Sequence, residues 1–146
     1  MEILYKARVT SIGGRDGSVK SSDGVLELAL ARPGAAEGGT GTNPEQLFAA
    51  GYAACFHSAL KRVSAEHKVS VKDSKVTVDV GLGRNDKGAF GLDVDILVDL
   101  PNATEEEAEK VVKAAHQVCP YSNATRGNID VRLAASAGDK QPVAVG

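Results

Sequence analysis

Cysteine is scarce in this sequence, with two residues among 146, and neither sign of charge dominates. Cys55 and Cys119 stand 64 positions apart (119 − 55) with no CxxC pair, so neither a disulfide framework nor a metal-type spacing is available. Seventeen basic residues face 19 acidic ones, a formal net charge of −2. That balance lacks the basic footprint of a nucleic-acid or anionic-membrane binder, and no run of like charge makes an interaction tail. No apolar run is long enough to span a bilayer: the longest holds Gly51, Tyr52 and His57 and meets Lys61 and Arg62. "MEILYKARVT" has no charged-then-apolar leader, and there is no internal repeat or low-complexity segment. The expectation is one unprocessed cytoplasmic domain over residues 1–146. Its 42% hydrophobic content is enough for a real core.

What is present alternates and then turns helical. Ile3, Tyr5, Ala7 and Val9 read as a half-buried strand leaving into the glycine-rich turn "GGRDG" at 13–17. Short strands follow around Val19 and over Leu26, Leu28 and Leu30, then the long Gly/Pro loop "RPGAAEGGTGTNP". Val76, Val78, Val80 and Leu82, then Phe90, Leu92, Val94, Ile96 and Val98, flank "RNDKG" as a β-hairpin. Ile129, Val131 and Leu133 make a last strand before a polar, frayed C-terminus.

Two helices interrupt the strands. Asn43 as N-cap, Pro44 at the first helical position and Glu45 at the positive end predict a helix from 44 to about 66. From Leu47 to Phe56 it is small or apolar on every side, which a surface helix cannot sustain. The prediction is a homodimer whose central helices are enclosed by sheets, with "AAGYAA" allowing close backbone approach. The second helix opens with a capping box, Thr104 and Glu107, buries Ala108, Val111, Val112, Ala115 and Cys119, and ends by Cys119, because Pro120 follows.

From spacing alone, both cysteines read first as small buried hydrophobes. A reactive thiol needs a neighbour, since a free cysteine of pKa about 8.5 is only slightly ionised at neutral pH. Cys55 sits too far inside its helix for the macrodipole to help. His57, two positions on, is about 200° round the helix and reads as structural, which disfavours a Cys-His hydrolase. Lys61 and Arg62 read as solvated, Arg126 is a further candidate, and Arg15, between glycines on a turn, is by default a surface loop charge; the residues alone do not choose it. An apolar ligand-binding dimer with inert thiols stays open as the alternative to an enzyme.

"GGRDG", "GTNPEQLFAAGYAACFHSAL" and "VCPYSNATRGNI", in that order, closely resemble the organic hydroperoxide resistance proteins of the OsmC-like superfamily, along essentially the whole chain. The resemblance implies an α+β fold in which short-stranded sheets wrap long central helices in an intertwined homodimer. It implies a thiol peroxidase that reduces organic hydroperoxides, with Cys55 as the attacking thiol, Cys119 as the resolving thiol, and Arg15 with Glu45 as their partners. It also implies chemistry without cofactor or metal, with the disulfide recycled by dihydrolipoamide or a lipoyl-protein as reducing co-substrate.

These roles agree with the chemistry of the residues. A guanidinium beside Cys55 would lower its pKa by about 1 to 3. Glu45, ten residues from Cys55, is about 15 Å away along the helix and would instead grip Arg15 through a bidentate pair. Whether the pair serves its own chain or the partner is open, and a site at the dimer interface is favoured. Phe48 and Tyr52 lie on roughly the same side of the helix as Cys55 and would line an apolar approach for alkyl hydroperoxides, ordinary core being their bland alternative. If Cys119 ends its helix, the dipole there opposes ionisation and suits a resolving thiol; a short helix begun by Pro120 would reverse that.

Overall fold

The computed structural model describes residues 1–34 and 40–146. The expected long loop therefore lies partly outside the described residues, at positions 35–39. The chain forms two compact units, Met1–Leu47 and Phe48–Gly146.

The first unit holds an antiparallel sheet of β1 (Val9–Ile12), β2 (Ser18–Ser21) and β3 (Glu27–Ala29). The strand expected over Ile3 to Val9 begins only at Val9; residues 1–8 carry no strand and are exposed. Their alternation had nothing to pair with inside the unit, and period 2 alone does not supply a neighbouring strand. Between β1 and β2, Gly14–Asp16 form a 3-10 turn that requires glycine on both sides. Gly13 takes φ 78°, and a Cβ on Gly17 would fall 1.7 Å from the Ile12 carbonyl oxygen.

Helix α1 spans Pro44–Glu66, as its start signals predict, and Asn43 Oδ1 accepts from the Gln46 N–H at 2.9 Å. In the second unit, β4 (Lys75–Arg84), β5 (Phe90–Leu100), β6 (Val131–Ala137) and β7 (Val143–Val145) make one sheet in that order. β4 and β5 are the expected hairpin, while β5 and β6 run parallel. A parallel neighbour needs a crossover, which α2 (Glu105–Val118) and α3 (Pro120–Thr125) supply. The C-terminus is not frayed: Val143–Val145 pairs with β6 and Val145 is buried. Its three apolar residues were too short a run to stand out from the polar tail around them.

The core of this unit lies between helices and sheet. Every second residue of β5 from Val94 to Leu100 is buried, meeting Phe56, Leu60 and Val63 of α1 and the Val111–Val112 stripe of α2. At the other end of the hairpin Phe90 leaves this core, and the Arg84 guanidinium covers its ring at 4.5 Å. The capping box is complete: Thr104 accepts from the Glu107 N–H, and the Glu107 carboxylate accepts from the Thr104 N–H.

Candidate functional site

In each unit the fold brings together residues that the sequence singles out. In the first, the 3-10 turn presents Arg15 to Glu45 in the first turn of α1. Arg15 Nη1 and Nη2 donate to Glu45 Oε2 and Oε1 at 2.8 and 2.5 Å. This is the bidentate pair expected from the sequence. The Arg15 hydrogen bond holds the Glu45 carboxyl below the ordinary range, and Glu45 in turn raises the guanidinium. Asp16 next door is occupied separately, accepting two hydrogen bonds from Arg32 Nε at 3.1 and 3.2 Å.

In the second unit, the fold brings Cys55 of α1 and Cys119 together as free thiols, one half-buried and the other wholly buried. Burial pushes the Cys55 thiol up; the Tyr121 backbone N–H works against that rise, and the neighbouring Cys119 adds to it. The local surroundings of Cys55 thus oppose the thiolate, the reverse of what a neighbouring guanidinium would do.

Cys119 is at once the C-cap of α2 and the N-cap of α3. Two opposed dipole ends meet there, so the argument that the end of α2 marks Cys119 as a resolving thiol is withdrawn. Pro120 is what makes the corner. It cannot continue α2, because it disfavours the helical conformation of Cys119, yet its fixed φ suits the first position of α3.

The aromatic neighbours divide their work. Phe48 lines an apolar cleft of about 360 Å³ with Pro120, Tyr121, Ala124, Thr125 and Ile129. Tyr52, expected beside it, is fully buried, and its hydroxyl meets Ser122 Oγ at 3.0 Å and Thr125 Oγ1 at 3.1 Å. The aromatic wall comes instead from Tyr121, which the sequence reading missed. Its ring packs edge-on to Phe48 and lies 5.5 Å from that of Tyr52. Gly51 is what admits it: a Cβ there would lie 2.6 Å from the Tyr121 hydroxyl. The glycine of "AAGYAA" therefore makes room for a side chain of its own chain.

The other cations considered for Cys55 are accounted for. Arg126 donates to the His116 carbonyl at 2.5 Å and to Asn123 Oδ1 at 2.8 Å. Lys61 and Arg62 are exposed, and Arg62 pairs with Glu66. His57 Nε2 meets Ser74 Oγ at 2.9 Å, tying α1 to the turn before β4. Among the described residues, no group of three or more His, Cys, Asp or Glu gathers to hold a metal, and no helix is long and apolar enough to cross a membrane.

The family model for OsmC-like protein matches residues 37–134. The organic hydroperoxide resistance protein OhrB of Bacillus subtilis (strain 168) is 48% identical over 132 residues, covering 89% of this chain and 96% of that protein. The organic hydroperoxide resistance protein of Xanthomonas axonopodis pv. citri (strain 306) is 50% identical over 137 residues, covering 90% of this chain and 94% of that one. Among solved structures, an organic hydroperoxide resistance protein from Elizabethkingia anophelis matches with a TM-score of 0.86 at 48% identity, over 94% of this chain and 99% of that chain. The chain belongs to the OsmC-like family and, within it, to the organic hydroperoxide resistance proteins.

Proposed function

We propose that the protein is an oxidoreductase of organic hydroperoxide resistance: a two-cysteine peroxidase acting on alkyl and fatty-acid hydroperoxides in a reducing cytoplasm. The observation that carries this reading is that Cys55 and Cys119, two free thiols 64 residues apart in sequence (119 − 55), are neighbours at one core. The relatives' names supply the substrate class.

In the proposed cycle the Cys55 thiolate attacks the terminal oxygen of the hydroperoxide, and the O–O bond breaks. The alkoxide leaves, takes a proton and departs as an alcohol, with Cys55 left as the sulfenic acid. The Cys119 sulfur then attacks the Cys55 sulfur; hydroxide leaves and is protonated to water as the disulfide forms. A dithiol such as dihydrolipoamide or a lipoyl-protein returns both thiols through two exchanges and is itself oxidised to a cyclic disulfide. Arg15, aimed by Glu45, is the cation that would offset the raised pKa of Cys55. The Phe48 and Tyr121 walls of the cleft favour an alkyl substituent, because each buried methylene contributes about 0.8 kcal/mol.

The working form is proposed to be an intertwined homodimer. Supporting this, Ala50, Ala54 and Ser58 form an exposed small-residue stripe along α1, and the first unit leaves Ile3, Leu4, Tyr5 and Ile12 exposed. A stable monomer in sedimentation at micromolar concentration would count against it.

The test of the chemistry is stopped-flow reaction of the reduced protein with one equivalent of cumene hydroperoxide, followed by thiol counting and peptide mapping. The expected result is loss of both thiols into a Cys55–Cys119 disulfide within about a second to a minute. Cys55→Ser should abolish turnover, and Cys119→Ser should allow one turnover and then over-oxidise. Two thiols still free after prolonged exposure would return the cysteines to the core and leave an apolar ligand-binding dimer as the reading to pursue.

A further inference from the structure

The corner that carries Cys119 holds a polar lock that the cycle above does not use. His116 stands in the last turn of α2 and Ser122 in the first turn of α3, and His116 Nδ1 meets Ser122 Oγ at 2.8 Å. The two residues lie three positions before and three after Cys119 (119 − 116, 122 − 119), so their bond closes a ring of chain with the buried thiol at its centre. The same serine oxygen meets the Tyr52 hydroxyl at 3.0 Å, and Tyr52 stands one helical turn before Cys55 on α1. One buried hydroxyl thereby joins the Cys119 corner to the helix of Cys55.

The lock spans the break between the two helices, where the Cys119 N–H still donates to the Ala115 carbonyl and the Cys119 carbonyl accepts from the Asn123 N–H, both at 2.9 Å. Cys119 is extended, with φ −65° and ψ 123°, and the next residue is a proline without an N–H. Burial and the nearby Arg126 charge lower the His116 pKa, so an uncharged imidazole faces Ser122 near neutral pH. Arg126 adds a second strap by donating to the His116 carbonyl.

We propose that His116 is a positioning residue for the resolving step: through Ser122 it sets where Cys119 stands relative to Cys55, and so how fast the Cys55 sulfenic acid becomes a disulfide. The inference rests on the peroxidase reading of the two cysteines. In that step the S–S bond forms, the S–O bond breaks, and hydroxide leaves as water with the thiol proton; His116 touches none of these atoms. Its leverage is geometric. A disulfide tolerates a narrow range of Cα separation and dihedral angle, whereas attack of Cys55 on a diffusing peroxide forms no bond to Cys119. Loosening the lock should therefore separate the two steps.

The experiment compares wild type, His116→Leu and His116→Asn in two-phase stopped flow with cumene hydroperoxide, scoring sulfenic acid by dimedone trapping and the disulfide by mass. In His116→Leu the first phase should stay within about twofold while the second slows about tenfold or more, given that misplacement by about 1 Å costs up to about a hundredfold. Excess peroxide should then drive more Cys55 to sulfinic acid in this variant. His116→Asn, whose side-chain amide stands near the place of Nδ1, should recover most of the second phase, which a purely volume-filling role would not predict.

Equal second phases in wild type and His116→Leu overturn the inference, as does an asparagine variant as slow as the leucine one. If His116→Leu fails to fold, Ser122→Ala removes the shared oxygen with little change of volume and must slow the same phase; a normal second phase there also overturns it. Should wild type itself keep two free thiols, the peroxidase reading falls and takes this inference with it, an outcome distinct from the failures specific to His116.

Discussion

The two units of the chain handle apolar surface in opposite ways, although each holds a bidentate arginine–carboxylate pair, Arg15–Glu45 in the first and Arg132–Asp93 in the second. Met1–Leu47 holds a bidentate ion pair and leaves Ile3, Leu4, Tyr5, Val9 and Ile12 exposed, with no residue of β1, β2 or β3 fully buried. Phe48–Gly146 packs a continuous core from α1, α2 and the long sheet, and the two thiols belong to that unit. The proposed nucleophile, Cys55, is thus held by surroundings that raise its pKa, and the proposed cation, Arg15, by a unit with scarcely a core of its own. Burial disfavours the Cys55 thiolate. An exposed turn can carry a guanidinium cheaply in desolvation, and needs a carboxylate to aim it.

Arg15→Met breaks this comparison most sharply. If the cation activates Cys55, the rate with cumene hydroperoxide at pH 7 should fall about a hundredfold, the middle of the range for loss of a contacting charge. The pH dependence of Cys55 alkylation then sharpens it. Without Arg15 the labelling rate should climb with pH to a midpoint above the free-cysteine value of about 8.5, because burial and Cys119 then act unopposed except by the Tyr121 N–H. In wild type the midpoint should lie lower. On the acid side the sign reverses: the depressed Glu45 carboxyl keeps its grip on Arg15 above the ordinary glutamate range and loses it only as pH falls through the lowered value. Identical alkylation profiles for wild type and Arg15→Met would mean that the C-terminal unit sets the thiol's reactivity alone.

Legibility followed the same division. The β4–β5 hairpin, both long helices, the capping box at Thr104 and the buried stripe of α2 could be read because each rests on local pattern backed by one core. The Arg15–Glu45 pair was legible only through family motifs, since 30 residues separate its members and the glycines around Arg15 say no more than "turn". Besides the C-terminal strand β7, three features escaped. Residues 1–8 alternate like a strand but pair with no strand of their own unit among the described residues, which periodicity alone could not say. Tyr121 and Ser122 were hidden because a six-residue helix has no period to detect, and their partners, Gly51 and Tyr52, lie about 70 residues away. The direction of the Cys55 shift was missed because desolvation is a property of packing that no spacing encodes.

A smaller effect tests whether the core of the second unit holds the thiol corner as well as itself. Tyr52→Phe keeps the ring but removes a buried hydroxyl shared with Ser122 and Thr125. The expected loss is about 1 to 2 kcal/mol in urea unfolding, with disulfide formation slowed more than peroxide reduction. Smaller still is Thr104→Ala, which deletes the side-chain half of the capping box at the start of α2. It should cost about 1 kcal/mol of stability. Thr104 lies at the opposite end of α2 from Cys119, and the helix between them is fixed by four fully buried or nearly buried residues, Ala108, Val111, Val112 and Ala115. Fraying of the first turn should stop at that stripe, leaving both kinetic phases unchanged. A resolving step that slowed in proportion to the lost stability would instead mean that α2 moves as one rigid lever, and that the position of Cys119 is set by the whole helix and not by the corner at its end.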